Sequence, residues 1–164
     1  MPDDELPSLA DKRWPALSRM RIFQVTLPFD LEEPPDGCRY TETTVRMSFD
    51  GPGIVAMKLS GTSGGIGGDD SVLDTRGVGR QQLTWKLSAR DEQSDLRPSG
   101  REVQAVVAAP IAAERLTGTL DAKIRFTRPE SSLVKRFTAE PQQPLRFALD
   151  VTDGTFETLP EENA

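Results

Sequence analysis

The chain has 164 residues, 36% of them hydrophobic, with a net charge of −6 and no histidine. That length suits one domain with a core able to stand without disulfides or metals. The acidic balance repels phosphate backbones and anionic lipid, so neither nucleic-acid binding nor membrane docking is expected.

Thirteen Gly and thirteen Pro point to many turns and few long helices. The single cysteine, Cys38, cannot form an internal disulfide. The first residues are acidic and carry no apolar run, unlike a secretory signal. No stretch approaches the roughly 20 apolar residues of a membrane span. A reducing, cytoplasmic setting is the expectation.

Residues 1–19 are polar, with Pro at 2, 7 and 15, and read as an arm from which Trp14 could pack back on the domain. Period-2 patterning begins at Met20. Phe23, Val25 and Leu27 alternate with Gln24 and Thr26, and Pro28 is expected to end that strand because it removes a ladder donor. Tyr40 to Phe49 alternates again, with Val45, Met47 and Phe49 on one face. The Asp50-Gly51-Pro52-Gly53 turn leads to Val55, Met57 and Leu59, which predicts a hairpin. Residues 60–80 lose the alternation and read as a long glycine-rich connection.

Leu83, Trp85 and Leu87 mark the next strand, with Trp85 expected in the core. Val103 to Ala109 is apolar on both faces, which fits a central strand or a partner contact. Leu116 to Thr127 alternates without a break. Leu116, Gly118, Leu120, Ala122, Ile124 and Phe126 fall on one face, and polar residues fall on the other. Such a long strand is expected to bend, with a bulge at Gly118, and to bury Leu120, Ile124 and Phe126. Pro129 to Phe137 suggests a short helix. Leu145 to Val151 gives a last strand before an acidic tail at 153–164.

These segments predict an all-β fold: an antiparallel sandwich, or a partly open barrel, of seven or eight strands with long loops. The single β domain is placed at residues 20–152.

The absence of histidine removes Ser-His-Asp and Cys-His catalysis, and with one cysteine it removes ordinary zinc sites. Gly61 to Gly65 spells G-x-S-x-G without the base that a nucleophile elbow needs. Ser132 to Lys135 spells S-x-x-K without its companion motifs. Cys38, beside Arg39, reads as a small buried hydrophobe rather than a reactive thiol. Asp69, Asp70 and Asp74 form the one cluster suited to a hard cation, and they are the calcium candidates, although EF-hand spacing is absent.

The leading expectation is a non-enzymatic interaction or assembly module with a protein partner or a second copy of itself. The alternatives are a β-sandwich that uses loop 60–80 to bind a small ligand or calcium, and an acid-based hydrolase whose acids the sequence does not identify, since the neighbouring pairs Glu32–Glu33 and Asp91–Glu92–Asp95 do not set two carboxylates across a cleft.

Overall fold

The computed structural model describes residues 19–61, 71–90, 96, 100–130, 133–141 and 143–159. Alternating sequence becomes strand almost throughout. The ten strands among these residues are β1 (Met20–Asp30), β2 (Arg39–Phe49), β3 (Val55–Gly61), β4 (Ser71–Arg76), β5 (Gln82–Ala89), β6 (Gly100–Pro110), β7 (Arg115–Glu130), β8 (Leu133–Ala139), β9 (Leu145–Asp150) and β10 (Phe156–Thr158). They form two antiparallel sheets, and the fold is the expected all-β sandwich, not a closed barrel. No helix among the described residues is long and apolar enough to cross a membrane.

The narrow sheet has the order β1-β6-β3. The wide sheet has the order β10-β9-β7-β2-β5-β4, with β8 also paired to β7. Both β8 and β9 lie on the edge of β7 opposite β2, because β2 holds the other edge from Gly118 to Thr127. β9 takes Arg115 to Leu120 and β8 takes Ile124 to Glu130. The two strands are therefore collinear, and the wide sheet is six positions across against three.

One side of the sandwich is stitched shut. The Ala56 N–H donates to the Arg80 carbonyl at 3.1 Å, and the Gly79 N–H donates to the Ala56 carbonyl at 2.7 Å. Gly77 makes that stitch possible: its φ is +123°, and a Cβ there would sit 2.2 Å from the Gln82 carbonyl oxygen. Further in, Trp85 is buried as expected, and its indole N–H donates to the Gln104 carbonyl at 3.1 Å across the layers. This satisfies the one polar group on a large buried ring. The main core gathers Val45, Met47, Leu83, Trp85, Val103, Ala105, Val107 and Phe147. A smaller cluster of Leu31, Tyr40, Leu87 and Leu96 closes one end.

Several expectations are corrected. β2 and β3 do not form a hairpin: β2 pairs with β5 and β7, and β3 pairs with β6 in the other sheet. Alternation identifies strands but not partners, and the Asp50–Gly53 turn carries the chain between layers. The connection 60–80 contains β4, whose single inward aliphatic, Leu73, is too weak a periodic signal to announce a strand. The short helix expected from Pro129 is instead the β7–β8 hairpin, with Pro129 opposite Val134. Phe156 to Thr158, assigned to the tail, pairs with β9.

Pro28 does not end β1, which runs on to Asp30. The bulge in the β2–β7 ladder lies between Tyr40 and Glu42, not at Gly118. Gly118 keeps regular register with Phe49 and Phe147, and a Cβ there would lie 2.0 Å from the Ser48 carbonyl oxygen and 2.8 Å from the Phe147 ring. The missing side chain is the space that lets Phe147 become fully buried.

Gly118→Ala is therefore expected to cost about 1–3 kcal/mol or more by overpacking. Thr119→Ala on the outer face is expected to stay within about 0.5 kcal/mol. Chemical denaturation of both variants measures the difference.

Candidate functional site

Of the calcium candidates, Asp69 and Asp70 lie outside the described residues, as do Asp91, Glu92 and Asp95. Asp74 is on β4, opposite Lys86 in register, with its carboxylate exposed and 3.8 Å from Arg76 Nε. No group of three or more metal-ligating side chains occurs among the described residues. Cys38 is buried at the entry to β2, where the backbone N–H donates to the Pro35 carbonyl at 2.8 Å.

The feature that stands out is on the unstitched side. β1 is the edge of the narrow sheet, and among the described residues no strand pairs with its outer side. Its backbone polarity can be assigned. The Ile111 N–H donates to the Arg19 carbonyl at 3.0 Å, one step beyond the Met20–Pro110 pair. Hydrogen-bonded pairs alternate in an antiparallel ladder. Odd-numbered residues of β1 therefore bond to β6, and Ile22, Gln24 and Thr26 turn their N–H and C=O groups away from it. Pro28 belongs to the same outward set, so its missing donor costs the ladder nothing.

Beside this edge runs an apolar slot of about 900 Å³ between the layers. Its roof is the inward row of β1: Phe23, Val25, Leu27 and Phe29, ending at Leu31. Its floor is Leu120, Ala122 and Ile124 of β7, with Leu149 and Phe156 at one end and Ala139, Glu140 and Pro141 at the other. Among the described residues, Asp121 to Lys123 have no ladder partner on the side of β8 and β9, because β9 stops opposite Leu120 and β8 opposite Ile124. The floor is thinnest there, and Ala122 is exposed.

The inner face of β7 is thus only half covered. Leu116 is buried, whereas Leu120, Ile124 and Phe126 are half-buried rather than core residues. Phe126 stacks on Phe137 at 5.1 Å, and the Arg128 guanidinium lies 5.5 Å over the Phe137 ring.

The shape of the slot follows from its parts. From Phe23 to Leu31 a strand extends roughly 26 Å, at about 3.3 Å per residue. The slot runs beneath that length of β1.

Charges border it. Asp30, Lys123, Glu140 and Asp150 are the charged lining residues. Asp150 is committed to its own turn: one carboxylate oxygen accepts from the Thr152 N–H (2.8 Å), the Thr152 hydroxyl (2.6 Å) and the Asp153 N–H (3.3 Å). These bonds, the Thr152 hydroxyl foremost, hold its carboxyl below the usual aspartate range, with help from the Arg115 charge. At the opposite end Tyr40 is buried, which pushes its phenol up, and the carboxylates of Glu32 and Glu33 push in the same direction.

The chain was also compared with known proteins. No family model and no curated protein matches it. A solved structure titled pore-forming protein aligns over 86% of this chain and 84% of that one, at 8% identity and a TM-score of 0.40. At that distance the likeness carries no functional argument.

The turn after β9 gives a pH prediction. A depressed carboxyl pKa means that the Asp150 bonds contribute stability above the ordinary value of 3.8, and that this is lost as pH falls through the lower folded value. An NMR titration is expected to place Asp150 below 3.8, and Thr152→Val is expected to move it back up. An unmoved midpoint would remove the Thr152 hydroxyl as the main cause.

Proposed function

We propose that this protein is a non-catalytic interaction module that accepts one extended segment of a protein partner along β1. The observation that carries this reading is the outward edge of β1 running beside an apolar slot lined by the inward row of the same strand. Strand addition uses both features together: backbone groups supply affinity, and alternate side chains drop into the adjoining slot. A compact small ligand would fill the slot but leave the N–H and C=O row of Ile22, Gln24 and Thr26 unused. An exposed edge of eleven residues with an apolar inner face is also an aggregation hazard unless something occupies it.

The width of the wide sheet favours a lone segment over a second copy of the domain. A second copy joined edge to edge at β1 would bring its own wide sheet to the same side, where β9 and β10 already extend. A single strand has no second layer and meets no such obstacle.

Two substitutions test the reading. Thr26→Pro removes an outward N–H and leaves the β6 ladder intact, as Pro28 already does two residues on. Ala122→Trp fills the exposed part of the floor. Both are expected to leave the melting temperature within a few degrees and to abolish binding of a nine-residue peptide of alternating Val and Thr, followed by calorimetry. Undiminished binding in both variants would contradict strand addition at β1.

A further inference from the structure

The run Val103 to Ala109 is apolar on both faces, and the core uses only one of them. Val103, Ala105, Val107 and Ala109 point into the sandwich. Val106 and Ala108 therefore point to the outside of the narrow sheet, and register shows what stands beside them. Met20 is opposite Pro110, and Ile22 and Val55 flank Ala108 on its two sides. Gln24 and Lys58 flank Val106, and Thr26 and Ser60 flank Gln104. The outer face is thus apolar over its first two rows and polar over the rest. Ile22 is 50% exposed, and Ile111, at the turn after β6, is 57% exposed.

The apolar rows lie where the chain enters the sheet. Residues 1–18 lie outside the described residues. They join the sheet through Arg19, whose carbonyl accepts from the Ile111 N–H, and Met20 belongs to the patch itself. Those 18 residues include Leu9, Trp14 and Leu17. Leu17 is three residues from Met20 and Trp14 is six, a reach of roughly 10 Å and 20 Å at about 3.3 Å per residue.

We infer that the N-terminal arm folds back over the outer face of the narrow sheet and sets Trp14 and Leu17 against Ile22, Val55 and Ala108. The patch has the size for a short segment. From strand rise and spacing it measures roughly 10 Å by 10 Å, on the order of 100 Å². A stable dimer buries about 800 Å² on each partner, so a second copy gains too little there. A tethered arm needs far less contact, because its root holds it at a local concentration in the millimolar range. One tryptophan carries enough apolar surface to cover such a patch, about 150–250 Å². The arm lies on the opposite face of β1 from the slot, so this inference is independent of the strand-acceptor reading.

Acrylamide quenching of tryptophan fluorescence in the full chain tests it. The chain has two tryptophans, and Trp85 is buried in the core, where it supplies a shielded signal in every folded sample. In the unaltered chain Trp14 is expected to be shielded as well. Ile22→Lys and Val55→Lys each put a charge on the outer face without touching the core, and each is expected to make Trp14 several-fold more quenchable while Trp85 stays shielded. Two variants are used so that one which loses the Trp85 shielding, and with it the fold, leaves the other to decide. Trp14 as quenchable in the unaltered chain as in the variants would overturn the inference. So would shielding that survives both lysines, which places the arm elsewhere, or shielding lost on dilution, which makes the cover a second copy.

Discussion

A sheet with one apolar face must have that face covered, and here the cover is too narrow. Three strands lie over six. The narrow sheet is pinned to one side of the wide one by the bonds from β3 to the 77–80 turn and by the Trp85 indole reaching β6. The shortage of cover therefore falls entirely on the other side, beneath β1. The slot, the half-exposed floor of β7 and the edge of β1 that has no partner among the described residues are consequences of this one mismatch.

The wide sheet can bear that shortage because its far strands are braced from within. Phe147 fills the notch left by Gly118, packs edge-on to Phe49 at 5.9 Å and stacks on Phe156 at 5.3 Å. These contacts add to the ladder bonds that hold β9 and β10 against β7. On the outer face, Arg146 and Thr117 both reach Asp50 at 2.9 Å and tie β9 and β7 to the turn after β2. The floor is thus a built surface, which is what a recognition site requires.

Alternation is a local property, and what it reports was legible in the sequence: the strands β1, β2, β3, β5, β6, β7 and β9, the antiparallel sandwich class and the burial of Trp85. Pairing is not local, which is why β2 and β3 read as a hairpin although they sit in different sheets. β4 has only Val72 and Leu73 as apolar residues, and β8 spaces Leu133, Val134, Phe137 and Ala139 without strict alternation, so neither carries a period-2 signal. The slot was hidden for the same reason. Leu120, Ile124 and Phe126 declare which way they face, but only the opposite layer decides whether anything covers them. One clue is present: Pro28 within an alternating run is compatible with an edge strand as well as with a strand end. The calcium candidates illustrate the opposite limit, since Asp74 stands on a strand with Arg76 beside it, and its two companions lie outside the described residues.

The account depends on β1 being an open edge in the protein alone, and native-state amide exchange reads this residue by residue. The odd-numbered amides of Phe23, Val25 and Leu27, bonded to β6, should be strongly protected. The even-numbered amides of Ile22, Gln24 and Thr26 should exchange orders of magnitude faster, giving a two-residue alternation along the strand. Equal protection of both sets would mean that the edge is already paired, and the slot could not then serve as the acceptor.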